Sequence, residues 1–277
     1  IGPEILQTLI QSNVPVLHHI GFVCAPFNYS QIPREAKNYH IIPASIAVKD
    51  VLVSNNFLVA NEDIVYPGAR IELFGEKATQ RKLPELPDGT NLKPIKICYA
   101  GLLMGSKGTH TFIESLIILK KQGIHFQANI AGKEFQPGYQ KSLEDFLIEA
   151  KQDAHVCFLG QLGRKQLSRF FRLHHVCVFP SIHPEAFGIV GAEAMASGLA
   201  LVTSGAGGAS ELVENNVSGL LFNAGEPYSL ANCLYKLAKQ TQFMNDIANQ
   251  GEKTAIEHFS VEKSAEKLEM LFYKYSN

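Results

Sequence analysis

The chain has 277 residues, 46% hydrophobic and 18% charged, with a formal net charge of −1. That is enough apolar chain for one large domain, or two of moderate size, around a sizeable core. The balanced charge argues against a duplex-binding protein that neutralises many phosphates, and no apolar run approaches the about 18 residues that cross a bilayer.

The chain opens Ile-Gly-Pro without methionine, so a preceding segment is expected and a signal peptide is left unjudged. Residues 14–20 and 40–42 read as strands, and 44–54 as a helix. The proline- and charge-rich stretch 82–91 reads as surface linker. This opening looks like part of a domain. The expected division is a C-terminal remnant of a first domain with an interdomain segment at 1–75, a second domain at 76–260, and a closing helix at 261–277.

From residue 94 onward, strands and helices alternate. Strand 95–100 ends at Gly101, and helix 109–121 carries the stripe Phe112, Ile113, Leu116, Ile117 and Leu119 before Gly123. Strand 124–131, helix 140–152, strand 156–159, helix 164–173 and strand 176–179 follow. Then come helix 189–197, strand 200–203, a short helix 209–214 and a short strand 220–222. Helices 228–239, 243–258 and 261–275 complete the chain. Strands buried on both faces and alternating with helices imply a doubly wound parallel sheet, an α/β fold. Ligands of such domains sit at the carboxyl ends of strands, where Lys107, Glu185 and the Gly207-Gly208 pair fall.

Five cysteines are widely spaced, with no C-x-x-C pair. Cys98, Cys157 and Cys177 lie in strand runs and read as buried thiols of a reducing compartment, so a cytoplasmic chain is expected. His174-His175 falls at a helix-to-strand turn and reads as a packed or solvated pair. There is no Asp-x-Asp sequence to chelate a cation, and no metal site is expected.

The stretch PEAFGIVGAEAMASG, residues 184–198, places Glu185 just before a helix and Glu193 one turn into it. The amides that open a helix are unpaired and carry partial positive charge, which favours an anion. Gly188 leaves room for close approach to the backbone. Two carboxylates beside such a terminus suit an elongated ligand that is anionic in the middle and hydroxyl-rich at both ends. A nucleotide-sugar has that shape. The plainer alternative makes one acid a loop charge and the other part of a solvated helix face.

Glu185 and Glu193 within PSIHPEAFGIVGAEAMASG, followed by LVTSGAGGASELVENNVSGLLF, resemble the donor-binding signature of retaining glycosyltransferases of family 4, with the GT-B fold. CYAGLLMGSKGTHTFIESL resembles that family's glycine–lysine segment, and HVCFLGQLGRKQLSRFFRLHHVCVFPS its strand, helix and strand. IVYPGARIELF is similar to its interdomain segment, and the last helices are similar to its closing ones. The likeness spans residues 64–277 and is loose before them. It implies a Rossmann-like donor domain after an incomplete first Rossmann-like domain.

The resemblance implies transfer of a hexose from a nucleoside-diphosphate sugar to an acceptor hydroxyl with retained configuration. The acceptor would be a glycan or a lipid-linked sugar, with no cofactor and no nucleic acid. Lys107 and Glu185 would be the catalytic pair, Lys107 on the diphosphate and Glu185 on the hexose hydroxyls. Glu193 would bind the ribose. Gly101, Ala186, Phe187, Gly188, Ile189 and Val190 would contact the donor. A place at the inner membrane face suits glycan assembly, although no strong basic amphipathic helix supports it.

Three features depart from the family pattern. Leu102 stands where an arginine is usual, so Lys133 or Arg164 is a candidate second cation. Gly21 stands at the spacing of a usual histidine, which His19 replaces only with a register change. The glycine-rich opening of the acceptor domain is missing, so the chain is expected to bind donor without turning it over. Other readings are a non-catalytic nucleotide-sugar-binding module and a GT-B-type epimerase. A dehydrogenase lacks its G-x-G-x-x-G turn, and a kinase its P-loop.

Overall fold

The computed structural model describes residues 3–12, 14–23, 36–75 and 85–276. A first unit holds α1 (Pro3–Gln11), β1 (Val16–Ile20), β2 (Tyr39–Pro43) and α2 (Ile46–Ser54), and the short α3 (Ile71–Phe74) follows before the second unit. β1 and β2 pair in parallel, with His18 opposite Ile41. Leu6, Ile20, Ile41, Val48, Leu52 and Phe57 form its core. The sequence reading had no counterpart to α1. Ser45 caps α2 by accepting from Val48 N at 3.1 Å, so that helix starts two residues later than the expected 44.

The second unit is a six-stranded parallel sheet of β3 (Ile95–Ala100), β4 (Phe126–Ala131), β5 (Val156–Gly160), β6 (Val176–Phe179), β7 (Ala200–Thr203) and β8 (Leu220–Leu221). Its order is β5-β4-β3-β6-β7-β8. The chain winds outward from β3 to β5, then returns to lay β6 on the other side of β3. Alternate side chains point to opposite faces of a strand. Ile95, Ile97 and Tyr99 therefore join one core with α4 (Thr109–Lys121), α5 (Tyr139–Glu149) and α8 (Pro227–Lys239). Cys98 and Ala100 join the other, with α6 (Arg164–Phe171), α7 (Ile189–Ala196) and α9 (Thr241–His258).

α10 (Val261–Ser276) leaves this unit and packs on the first one, Leu271 and Leu268 meeting Leu17, Ile42 and Val65. Tyr275 Oη donates to both carboxylate oxygens of the buried Asp63, at 2.9 and 2.8 Å, and Lys274 Nζ donates to one of them at 3.0 Å. The two crossings between units run side by side: Ala69 N donates to Phe259 O at 2.7 Å, and Val261 N to Ala69 O at 2.9 Å.

Four expectations need correction. Cys157 is exposed, because β5 is an edge strand and presents one side to solvent; Cys98 and Cys177 are buried as expected, and Cys24 lies outside the described residues. Helix 140–152 stops at Glu149, since Lys151 turns to a φ of +56°. Segment 209–214 is a 3-10 turn, Gly208–Leu212. Strand 124–131 begins at Phe126, because His125 N is taken by Gly89 O at 3.0 Å. Of the expected linker, 85–91 forms no helix or strand, and the rest lies outside the described residues.

His174 and His175 are a packed pair. His174 Nδ1–H donates to Phe170 O at 2.7 Å, and its Nε2 accepts from Asn129 Nδ2 at 2.8 Å. His175 Nδ1 accepts from Lys96 N at 2.9 Å, and its Nε2–H donates to Glu85 O at 3.0 Å. Every ring nitrogen is thus satisfied in the neutral state. No helix among the described residues is long and apolar enough to cross a membrane.

Candidate functional site

The reversal of strand order between β3 and β6 opens a crevice at their carboxyl ends, the place where open α/β sheets receive ligands. From β3, the chain passes Gly101 and Leu102 into a 3-10 turn, Gly105–Lys107, which carries Lys107 to the crevice. From β6, the loop after Phe179 carries Ser181 and Glu185 to the facing wall, and α7 begins there. Gly188 has φ +108°, and a Cβ there would meet the Phe179 ring at 2.8 Å. Only glycine allows the chain to enter α7 so close to β6. The glycine and alanines of α7 let it lie against the sheet, where six of its eight residues are buried.

A cavity of 430 Å³ results. Gly101, Leu102 and Lys107 form one wall, Glu185, Ala186, Phe187, Gly188, Ile189 and Val190 the other, and Gly21 and Pro67 close the end toward the first unit. A second lobe of 230 Å³ shares Ala100, Gly101, Leu102 and Val190 with it, and reaches Gly132, Lys133, Gln161 and Leu162. The crevice is therefore elongated, with two lobes meeting over the start of α7. The first amides of a helix have no carbonyl one turn behind them, so this junction offers donors and positive potential to an anion.

Lys107 Nζ lies 2.6 Å from Glu185 Oε1, which also accepts from Ser181 Oγ. Glu193 is buried, 1% exposed, and its Oε1 accepts from Arg164 Nη1. Burial raises the Glu193 pKa, and the Arg164 guanidinium opposes the rise. A buried carboxylate held by one guanidinium is not a solvated helix-face acid, which removes the plainer reading of Glu193. Among the described residues, no group of three or more His, Cys, Asp and Glu gathers as for a metal ion.

Eight of the nine residues singled out from sequence, all but Glu193, line the first lobe. Glu193 sits one turn further along α7 from Val190. Arg164, offered as a second cation beside Lys107, instead pairs with Glu193, while Lys133 lines the second lobe. His19 does not reach the cavity: its Nε2–H donates to Val65 O at 2.8 Å, and Gly21 takes the wall position. Ser181, Tyr99 and Pro67 were not anticipated as lining residues. Ser181 had a signal, a hydroxyl four residues before Glu185 in a loop leaving a buried strand; Pro67 had none, because it arrives from the far side of the crevice.

Known proteins resemble this chain in sequence and in fold. The chain is 30% identical over 165 residues to an uncharacterized glycosyltransferase of Methanocaldococcus jannaschii, covering 59% of this chain and 41% of that protein. It is 26% identical over 238 residues to the capsular polysaccharide biosynthesis glycosyltransferase CapM of Staphylococcus aureus, covering 84% of this chain and 60% of CapM. The chain thus spans about two fifths to three fifths of these relatives' lengths. Among solved structures, Anabaena HepE in complex with UDP and glucose superposes with a TM-score of 0.78 at 23% identity, over 97% of this chain and 76% of HepE. The fold is GT-B. Residues 86–254 match the family model for glycosyl transferases group 1, more than half of the chain, and the chain belongs to that family.

Proposed function

We propose that the crevice binds a nucleoside-diphosphate sugar and that the whole protein transfers its hexose to an acceptor hydroxyl with retained configuration, as family 4 glycosyltransferases do. The observation that carries this is the joining of two lobes over the start of α7, with Lys107 and Glu185 on facing walls of one lobe. The diphosphate lies at the junction, on the α7 amides and Lys107. The hexose occupies the lobe of Glu185, whose carboxylate accepts its hydroxyls. The nucleoside lies toward the second lobe, its ribose above Glu193.

In the transfer, the bond between the anomeric carbon and the diphosphate oxygen breaks, and its electron pair stays with the diphosphate. Lys107 and the helix terminus stabilise that developing charge. The acceptor oxygen bonds to the anomeric carbon on the same face, and its proton passes to the departing phosphate oxygen. No cofactor enters this sequence. The names of CapM, and of HepE with its bound UDP and glucose, support a nucleotide-sugar donor and a glycan acceptor.

A second reading, a binding module without turnover, is favoured by Gly21. It lines the cavity with open space beside it, where the family pattern has a histidine. One experiment separates the two. Thermal shift against a panel of nucleotide-sugars identifies the donor, and sugar release from it is then measured with the whole protein. Stabilisation with release supports transfer, stabilisation without release supports the binding module, and stabilisation by no compound in the panel ends both readings.

A further inference from the structure

The loop after β7 lies behind the cavity wall and joins the two units. Glu211, in the 3-10 turn Gly208–Leu212, reaches back to the first unit. Its Oε2 accepts from Ile46 N at 2.9 Å, and its Oε1 accepts from Ala47 N at 2.9 Å. Ser45 Oγ accepts from the next amide, Val48 N. The first three amides of α2 are therefore all satisfied, two of them by a residue of the other unit. A carboxylate on a helix start gains from both the charged hydrogen bonds and the positive end of the helix dipole.

The same loop is stitched to the donor wall. Glu185 N donates to Ala206 O at 3.0 Å, and Gly208 N donates to Glu185 O at 2.8 Å. Ala186, on the cavity wall, packs into the core of the first unit. Tyr66, in the crossing between units, places its ring 5.2 Å from that of Phe187. A continuous path therefore runs from the α2 amides through Glu211 to the loop of Glu185. Glu211 itself is not among the residues lining either lobe.

We propose that Glu211 is a positioning residue: clamped on the start of α2, it sets the first unit against the Glu185 loop and couples occupancy of the cavity to that helix. The clamp stands on the geometry alone, whereas the coupling rests on the reading of the cavity as a nucleotide-sugar site. The clamp differs from an ordinary cap because cap and helix belong to separate units. Loosening it therefore alters their relation and leaves each sheet intact.

Amide hydrogen exchange on the 277-residue chain, read at Ile46 and Ala47 with and without UDP, tests both parts. Glu211→Ala is expected to speed exchange at these amides by about tenfold or more, leaving the amides of β3 and β6 unchanged. UDP is expected to slow both amides in the unmodified chain and neither in the variant. Ile46→Pro removes one donor from the opposite side, at a first helical position where proline is tolerated, and is expected to abolish the UDP response at Ala47 even where Glu211→Ala fails to fold. Unaltered exchange in nucleotide-free Glu211→Ala, or in Ile46→Pro at Ala47, overturns the clamp. UDP that binds by calorimetry without slowing Ile46 and Ala47, or a response that survives in either variant, overturns the coupling. If UDP does not bind at all, the donor reading fails and takes the coupling with it, and the nucleotide-free rates still decide the clamp.

Discussion

Lys107 and Glu185, 78 positions apart in the chain, meet at 2.6 Å across the crevice between β3 and β6. The pair is partly buried, so its ammonium is held in place at the point where a diphosphate would arrive. Ser181 shares Glu185 Oε1, so the carboxylate keeps a partner when the ammonium turns to an anion. Lys107→Ala is expected to weaken UDP binding by about 1.5–3 kcal/mol, the range of a charge-assisted hydrogen bond. Uridine binding should not change. Calorimetry with both compounds checks this, and an equal loss for both would remove Lys107 from the diphosphate.

Glu193→Ala is expected to weaken nucleotide-sugar binding by ~1–3 kcal/mol through lost charged hydrogen bonds. Burial holds the carboxyl pKa above its ordinary 4.5, so the group takes up its proton earlier as the pH falls. Affinity should therefore decline on acidification before an ordinary carboxylate would titrate. Arg164→Gln removes the opposing charge and should move that decline to higher pH. Dissociation constants measured from pH 7 down to 5 read both effects.

The histidine pair makes stability fall with acid. Burial lowers both His174 and His175 to about 4, whereas a free imidazole titrates near 6.5. Between those values the unfolded chain binds protons that the folded one refuses. The stabilisation is therefore complete above 6.5 and lost as pH falls toward 4. At pH 5 the loss approaches about 2 kcal/mol per ring. Urea midpoints at pH 7 and pH 5 measure it, and His175→Asn should shrink the difference.

Gly108 closes the turn after Lys107 with φ +69°, and a Cβ there would stand 1.9 Å from Pro180 O. The two strand ends that frame the crevice approach each other backbone to backbone at this point. Gly108→Ala combines a strained φ with that overlap, and is expected to cost about 2–4 kcal/mol. It should also weaken UDP binding, because Lys107 precedes the displaced turn. A thermal melt and a UDP titration on the same variant test the two consequences together.

Much of the second unit could be read from the chain alone. β3, β6, β7 and α4 run over the expected residues, because each is a dense apolar run closed by glycine or a loop, and such signals are local. Eight lining residues were likewise legible, since they fall on two short stretches, 101–107 and 185–190, at the ends of those strands. Apolar runs reveal that a strand is buried and say nothing of which strand lies beside it. The placing of β6 against β3 was settled only in three dimensions, and with it the meeting of Lys107 and Glu185. The same holds for Arg164 on Glu193, Gly21 and Pro67 at the cavity end, the exposure of Cys157, and the grip of Glu211 on α2. Each depends on packing between segments far apart in the chain, where neighbours are chosen by the whole fold and no local pattern records the choice.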